Sequence, residues 1–587
     1  MAATYLAISS IALPLAIARL VSLSSENQTP GTLLLFFPAL VLTMLVDVLL
    51  AGLCTMLNIP APRAMVVGTI HLVLAILLAS LLRGSRRSIL VKLTDGDVRD
   101  FLGLLAIVVV AAACGFMQFG FSLNLNFSST DPATHFANTL TVLDSGRVEG
   151  MYFTYYISSL VIEVLQPFTG FYGTYKAFIV AEIGYYTLNT CVFYSLLRVA
   201  GSKHVPSFCV SVLYMLGYPL NNMVFGFSYL GAGVTLFLTF TFMWVAFWRP
   251  GSYIKLFIAS LIVILGGIVC YSLFVPVVAL SLSLLSVAHF RDAISRHILA
   301  FGILAASLII ATTLLIRHAI LAGLVSGLST PGYTYVELYG SFILIAPAAI
   351  FGLVKLIQDR QSSFALPSTL ISIAVIVVTA IALLLYKAGV FSAYYYYKFY
   401  YLLWPIAFLC TARGLTVLLS ESRAFLVCYL ACIASILVLS LSRIDRTIST
   451  RHPDLSPSAA SESITGVYNF NLNEMESPKI SDEEVNLWIA VDQLRTSSDR
   501  YIPLLGTNID VYWYQAQTKQ HYAPDARYFY FWLYNTDDWG SVLVDRLSEV
   551  DYCAILYTQD LPDSVKQFLS SKEIIYQNSA GYIVKLE

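Results

Sequence analysis

The sequence predicts an all-α polytopic membrane protein that carries a small α/β domain at its C-terminus. Of its 587 residues, 58% are hydrophobic and 12% are charged, whereas soluble domains are about 45–50% apolar and about 25% charged. Apolar stretches long enough to cross roughly 30 Å of hydrocarbon recur about 14 times. Charged residues are sparse before residue 443 and dense after it, so the chain divides into a membrane part and a polar part.

The predicted transmembrane helices follow from stretches of about 20 apolar residues. They centre on residues 14, 44, 72, 108, 186, 213, 238, 263, 281, 306, 349, 377, 409 and 433. The first stretch, residues 4–24, has no basic region before it and no small-residue cleavage site after it. We therefore expect a retained transmembrane helix and not a signal peptide.

Basic residues predict which connections face the cytoplasm, because Lys and Arg are enriched on that side of a membrane. They cluster after every second stretch, at Arg83, Arg86, Arg87, Lys92 and Arg99, then at Arg198 and Lys203, Arg249 and Lys255, Arg291 and Arg296, Lys355 and Arg360, and Arg413 and Arg423. The segments expected outside are residues 119–172, 217–222, 317–339, 389–398 and the C-terminal part. The assignment requires that the closely spaced stretches near residues 263 and 281 both cross the membrane.

Three parts are expected along the chain. Residues 1–442 form the transmembrane domain, with residues 119–172 as its principal outer loop. Residues 443–480 form a linker that is rich in Pro and Ser. Residues 481–587 form an extracytoplasmic α/β domain, in which Ser481 and Glu484 make a capping box. Its other predicted elements are a helix to about residue 496, strands at 501–505 and 552–557, a helix at 563–571 and a closing hairpin at 573–587.

The cysteines argue against a metal centre or a disulfide framework. Of nine cysteines, eight lie in apolar stretches and Cys553 stands alone in the polar part, without a CxxC pattern.

The principal outer loop contains the candidate catalytic residues. Asp131 lies in a polar segment, 126–135, directly after an apolar stretch. A carboxylate beside a low-dielectric surface has a raised pKa and can act as a general base near neutrality. His135, one helical turn later, would orient Asp131 or bind substrate. The alternative is that the Asp131-Pro132 pair simply starts a short helix. Residues 150–168 are expected to form an interfacial helix with its tyrosines at headgroup depth.

A second outer segment, residues 392–405, combines six tyrosines with one lysine. Lys398 is a candidate for binding a donor phosphate, with Tyr395 and Tyr396 binding substrate beside it. The alternatives are an aromatic belt and a lysine that snorkels to lipid headgroups. Candidates on other outer segments are Arg317 and His318 for the same phosphate and Glu337 for a sugar hydroxyl; a solvated loop would explain Glu337 equally well.

Ionisable residues within predicted helices are energetically costly and are therefore functional candidates. Asp47 and His71 fall on adjacent helices and are expected to pair, which is a structural explanation. Glu182 is kept as a second acidic residue that binds substrate.

This arrangement resembles the GT-C superfamily of membrane glycosyltransferases, which includes protein mannosyltransferases, aminoarabinose transferases and arabinofuranosyltransferases. The resemblance rests on many spans, the acidic outer loop with Asp131, the helix behind it and the outer α/β domain. It implies a polyprenyl-phosphate-linked sugar donor, a cell-envelope glycan, lipid or protein acceptor, an extracytoplasmic active site and an inverting displacement with Asp131 as base. The loop departs from many relatives in reading Asp-Pro in place of paired acids. This departure puts metal dependence in doubt: the lipid-linked donor is the group that the resemblance implies, and a divalent metal stays an alternative that is not indicated.

Two other functions fit the same composition. A polysaccharide polymerase or ligase would generally use outer-loop arginines, and here only Arg147 and Arg317 lie in the outer segments of the membrane domain. A lipid-linked-substrate transporter or flippase would show inverted repeats and broken helices, which the sequence lacks. The expected partners are the bilayer, the donor and the acceptor, without nucleic acid. Aromatic residues such as Trp513 and Tyr514 in the C-terminal domain suit either acceptor binding or an ordinary core.

Overall fold

The computed structural model describes most of the chain. The described residues are 2–24, 30–84, 95–148, 154–170, 172–249, 252–290, 342–359, 362–421, 427, 466–475, 480–495, 501–520 and 539–586. The predicted helices near residues 306 and 433 lie largely or wholly outside these ranges, as do Arg317, His318, Glu337 and most of the 443–480 linker.

Apolar helices dominate the first 421 residues. Among the described residues, eight segments are long and apolar enough to cross a membrane, and this identifies a multi-pass membrane protein. They are Thr32–Met56, Ala64–Leu81, Gly96–Phe119, His204–Phe225, Ser228–Phe247, Tyr253–His289, Ala365–Lys387 and Ala393–Ser420. The total of about 14 spans stays a prediction.

The described residues of the membrane part form a series of helices. They are α1 (Ala2–Ser24), α2 (Thr32–Met56), α3 (Ala64–Gly84), α4 (Asp95–Phe119), α5 (Asp131–Ser145), α6 (Thr154–Thr169), α7 (Thr174–Val199), α8 (His204–Leu216), α9 (Tyr218–Phe225), α10 (Ser228–Phe247), α11 (Tyr253–Tyr271), α12 (Val275–His289), α13 (Phe342–Gln358), α14 (Ala365–Lys387), α15 (Ala393–Lys398) and α16 (Tyr400–Glu421).

Helix α7 lies at the centre of this bundle and packs against α2, α4, α6, α8 and α10. Most of its side chains are buried, as expected for a helix that faces protein on all sides. On a neighbouring pair of helices, His71 Nε2 lies 3.0 Å from Asp47 Oδ1. The predicted pairing of these two residues is confirmed.

Helices α11 and α12 form an antiparallel hairpin. Tyr253, at the start of α11, stacks on His289, at the end of α12, with ring centroids 4.4 Å apart. The Tyr253 hydroxyl also hydrogen-bonds the Ser286 hydroxyl at 2.7 Å. The chain therefore turns back on itself between the stretches predicted near residues 263 and 281.

Helices α13 and α16 cross at two glycines. A Cβ atom at Gly352 would collide with the backbone of Cys410, and one at Gly414 would collide with the backbone of Ala348. Small residues at such a crossing allow two backbones to touch, which is a common way for membrane helices to associate.

Ion pairs gather at one end of the bundle. Arg198 Nε lies 2.6 Å from Asp100 Oδ1, and Arg413 Nη2 lies 2.8 Å from Asp359 Oδ2. The end of α7 meets α16 nearby, where the Ser202 and Thr416 hydroxyls hydrogen-bond. Because α7 and α16 both end here, the start of α16 and the residues around Lys398 lie at the opposite end.

The C-terminal part contains helices around one small sheet. Its elements are α17 (Gly466–Met475), α18 (Asp482–Arg495), β1 (Leu504–Leu505), α19 (Asn508–Gln517), α20 (Trp539–Leu547), β2 (Tyr552–Leu556), α21 (Asp563–Ser570), β3 (Glu573–Gln577) and β4 (Gly581–Lys585). The strand order is β1-β2-β4-β3, with β1 and β2 parallel and the other pairs antiparallel. The closing hairpin and the capping box of Ser481 and Glu484 are confirmed, whereas the first strand is shorter than predicted.

The C-terminal part shares its core with the membrane helices. Trp513 of α19 is fully buried and its ring stacks on Phe127 at 5.5 Å, with Phe136 at 5.7 Å and Phe178 at 6.3 Å. The side-chain amide of Asn471, in α17, donates hydrogen bonds to the carbonyl oxygens of Leu216 and Gly217 at the junction of α8 and α9. The aromatic-core interpretation of Trp513 therefore holds, since its ring is inaccessible to a sugar.

We predict that Trp513→Ala lowers the free energy of unfolding by about 3–5 kcal/mol, because it removes a fully buried indole from a ring cluster. Thermal unfolding of the purified protein measures the loss. Ile574→Ala is the matched control, since Ile574 is 52% exposed, and it should change stability by less than about 0.5 kcal/mol. Equal losses for the two variants would contradict the shared core.

Candidate functional site

Helix α5 carries Asp131 as its first residue. Thr130 occupies the N-cap position, Pro132 follows in the first turn, and the helix ends at Gly146 in the left-handed conformation. The Asp131-Pro132 pair thus does start a helix, as the alternative interpretation predicted. Among the described residues, however, no hydrogen bond to the Asp131 carboxylate forms. Asp131 is exposed as a residue, although surrounding protein atoms withdraw its carboxyl group from bulk water, and the carboxylate remains open to a ligand.

The segment before Asp131 is held by the C-terminal end of α9. The Ser128 amide donates to the Val224 carbonyl at 3.0 Å, and the Ser129 hydroxyl donates to the Phe225 carbonyl at 3.1 Å. Gly226, with φ +69°, lies in the turn that ends α9, directly against the ring of Pro132. These contacts fix where α5 begins and therefore where Asp131 stands.

Lys398 ends α15 and is only 4% exposed. Its ammonium lies over the ring of Tyr394, 3.8 Å from the centroid, and within 5.2 Å of Tyr395 and 5.4 Å of Tyr271. Cation–π contacts with three rings stabilise a charge that is withdrawn from water. No hydrogen bond or ion pair to this ammonium occurs within the part of the chain that the structure describes.

Asp131 and Lys398 come together although 266 residues separate them in sequence numbering. Burial raises the pKa of the Asp131 carboxyl, and the nearby positive charge of Lys398 partly offsets this rise. The two groups interact through space without forming a direct ion pair in the described structure. The charges of the carboxyl and the ammonium therefore interact, and neither group has its hydrogen-bonding capacity used up by the other.

His135 is buried behind Asp131. Its Nδ1 lies 2.8 Å from the Tyr155 hydroxyl, and its ring packs 4.8 Å from that of Tyr229. Burial lowers the pKa of His135 to about 3, so the imidazole is neutral at physiological pH. The structure thus places His135 in the packing that supports α5.

The tyrosines predicted for the membrane interface are largely internal. Tyr396 stacks on Tyr386 at 5.5 Å, and its hydroxyl lies 2.6 Å from that of Tyr400. Tyr395, by contrast, faces Lys398. Tyr155 and Tyr156, at the start of α6, are 4% and 2% exposed. These two tyrosines therefore face the protein interior, where they form hydrogen bonds, and do not face lipid. Their depth at the headgroups stays a prediction.

Glu182 does not join the pair of Asp131 and Lys398. It is 2% exposed and lines a small cavity between α7, α9 and α10 whose lining includes neither of those residues.

The surroundings of Asp131 and Lys398 also contain residues that the sequence did not point to. Tyr271 comes from the end of α11, far from the tyrosine-rich segment, and the role of Gly226 becomes visible only through its contact with Pro132.

A larger cavity of about 260 Å³ lies where α5 and α6 meet the C-terminal part. Its charged lining includes Asp144 and Lys519, whose side chains form an ion pair at 2.6 Å. This cavity lies at the far end of α5 from Asp131, about 20 Å away at 1.5 Å per residue.

Among the described residues, no group of three or more His, Cys, Asp or Glu side chains is placed to hold a metal ion. No protein-family model matches the sequence, and no curated protein matches it. The chemistry of the site must therefore be inferred from its own residues.

We predict that Gly226→Ala is more destabilising than Gly170→Ala. Both glycines have positive φ, +69° and +74°, but a Cβ at Gly226 would strike Pro132 whereas nothing lies within 4 Å of one at Gly170. Gly170→Ala should cost about 1–2 kcal/mol from backbone strain, and Gly226→Ala about 1–3 kcal/mol more from overpacking. Thermal unfolding compares them; equal losses would show that Gly226 does not position α5 by contact.

Proposed function

We propose that this protein is a membrane glycosyltransferase that moves a sugar from a polyprenyl-phosphate donor to a cell-envelope acceptor. The observation that supports it best is the juxtaposition of the open Asp131 carboxylate with the Lys398 ammonium. Transfer from such a donor needs a base for the acceptor hydroxyl and a cation for the departing phosphate. The two groups have these chemistries, and their charges interact.

The proposed reaction is a single displacement. Asp131 accepts the proton of the acceptor hydroxyl as the hydroxyl oxygen bonds to the anomeric carbon of the sugar. The bond from that carbon to the phosphate oxygen breaks, and its electron pair leaves with the phosphate. The Lys398 ammonium neutralises the negative charge that develops there. Attack from the face opposite the leaving group inverts the configuration of the anomeric carbon.

The surroundings of Lys398 support a phosphate as its ligand. Within the described part of the chain, the buried ammonium contacts aromatic rings and lacks the strong hydrogen-bond acceptors it had in water. A phosphate oxygen would supply a charge-assisted hydrogen bond. The rings of Tyr394, Tyr395 and Tyr271 that surround the ammonium would also give the site an apolar wall.

The distribution of charge supports an extracytoplasmic site. Asp100 pairs with Arg198, and Asp359 with Arg413, at the end of the bundle opposite Lys398. Because arginines concentrate on the cytoplasmic side, we place that end in the cytoplasm and the site with Asp131 outside. The C-terminal part packs against α5 through Trp513 and is therefore placed outside as well.

We predict that Asp131→Asn lowers kcat for sugar transfer by about a hundredfold to ten-thousandfold, because the amide cannot accept the proton. Proteoliposomes supplied with a panel of polyprenyl-phosphate sugars measure the transfer. Asp144→Asn is the control on the same helix, since Asp144 is exposed and paired with Lys519, and it should retain activity. A fully active Asp131→Asn variant would remove the base from the proposal. Inactive wild-type protein with every donor would favour the lipid-linked-substrate transporter.

The pH dependence of sugar transfer should report the ionisation of Asp131. The base works only when deprotonated, so activity is present above the pKa of Asp131 and lost as the pH falls through it. Because burial raises this pKa, the acidic limb of kcat/KM should lie at a higher pH than an ordinary aspartate would give. His135 titrates near pH 3, so it should add no limb near neutrality.

A further inference from the structure

A separate small pocket lies inside the helical bundle, behind the turn that supports Asp131. It is a cavity of about 10 Å³ lined by Glu182, Tyr185, Tyr186, Asn189, Pro219, Asn222, Met223, Ser228 and Gly231. This volume suits one water-sized sphere. Acidic residues within membrane helices are costly and are kept for a function, and the proposed glycosyl transfer makes no use of Glu182.

Two oxygen atoms of the cavity wall have no hydrogen-bond partner among the residues that the structure describes. Glu182 Oε1 and Asn222 Oδ1 are both buried and accept no hydrogen bond among the described residues. The Ser228 hydroxyl lies close enough to Glu182 to interact with its carboxyl. A buried hydrogen-bond acceptor without a donor is energetically unfavourable. A cation or a hydrogen-bond donor inside the cavity would therefore stabilise these two oxygen atoms.

An ionised Glu182 would also be uncompensated. No Lys, Arg or His side chain pairs with it in the described part of the chain, and an unpaired buried carboxylate costs several kcal/mol. The neighbouring pairs are arranged differently, since the Asp47 carboxylate contacts His71 and the Asp100 carboxylate contacts Arg198. Glu182 alone among these three acids faces a cavity in place of a basic side chain.

We propose that this cavity binds one monovalent cation of the size of Na⁺ between Glu182 and Asn222. Carboxylate, amide and hydroxyl oxygens are the ligands that hard cations prefer. A single carboxylate balances a single positive charge, and the volume admits one ion. The cation would satisfy both unpartnered oxygens and neutralise the buried charge.

A cation bound in this cavity would stabilise the position of Asp131. Asn222 belongs to α9, whose last residues Val224 and Phe225 accept the hydrogen bonds of Ser128 and Ser129. A cation bound by both α7 and α9 would hold this turn against the centre of the bundle. The inference concerns the helical core and holds whether or not the protein transfers sugars.

The test is thermal unfolding of the purified protein in nanodiscs, with NaCl, KCl or LiCl replacing choline chloride at constant ionic strength. We expect Na⁺ to raise the Tm saturably, because a ligand that binds the native state stabilises it. Binding of ²²Na⁺ to the wild-type protein should saturate near one ion per chain. No saturable ²²Na⁺ binding, or the same Tm in choline and in all three cations, would overturn the proposal and leave a water or a proton as the occupant.

Substitutions of the residues that line the cavity test where the ion binds. Glu182→Gln should abolish the Na⁺ response, and Asn222→Leu should weaken the apparent affinity by about tenfold or more, since it removes one oxygen ligand. Asp47→Asn is the control, an acid inside the same bundle that is already paired with His71, and it should keep the response. If Glu182→Gln does not fold, Asn222→Leu and the ²²Na⁺ measurement decide. An unchanged Na⁺ affinity in Asn222→Leu would contradict the assigned site.

Discussion

The candidate site depends on the separation that the fold maintains between one carboxylate and one ammonium. Asp131 and Lys398 lie close enough to influence each other electrostatically, yet they do not form a direct ion pair. Direct contact would satisfy both charges and leave little for a substrate. Two structural features hold these groups in place. The turn at Gly226 fixes the start of α5 and therefore Asp131, and the tyrosine rings surround Lys398.

Each support draws on residues that are distant in sequence. Phe127 and Phe136, on either side of Asp131, both pack on Trp513 of the C-terminal part. Helix α17 contributes Asn471, which binds the backbone at Gly217, just before α9. The C-terminal part therefore supports the membrane helices that hold the site, in addition to forming its own sheet. A rigid frame of this kind lets a base and a cation keep their positions without binding each other.

The sequence predicted the features that depend on local pattern. Apolar stretches predicted the helices, and Ser481 with Glu484 predicted the start of α18. The ionisable residues Asp47 and His71, on adjacent predicted helices, predicted an internal pair. It also pointed to Asp131 and Lys398 singly, because an isolated charge in an apolar chain is conspicuous. Their meeting depends on how α5 and α15 pack, which no local pattern encodes.

The dependence on helix packing also explains which features the sequence did not predict correctly. Tyr155 and Tyr156 resemble interfacial tyrosines in sequence, but hydrogen bonds to His135 and to the Pro62 carbonyl keep them inside. Tyr271 carries no local signal of a role beside Lys398. The cavity at Glu182 arises from the packing of three helices, so its unpartnered oxygens are visible only in three dimensions.

The central claim is that Lys398 binds a phosphate beside a negatively charged base, and binding of a short-chain polyprenyl phosphate in nanodiscs tests it most directly. Lys398→Met should weaken binding by roughly tenfold to a hundredfold, because a charge-assisted hydrogen bond is lost. Asp131→Asn should not weaken it, since removing a nearby negative charge lowers repulsion. Lys387→Met, a lysine over the ring of Tyr386, should bind as the wild type does. Unchanged binding in Lys398→Met would contradict the account.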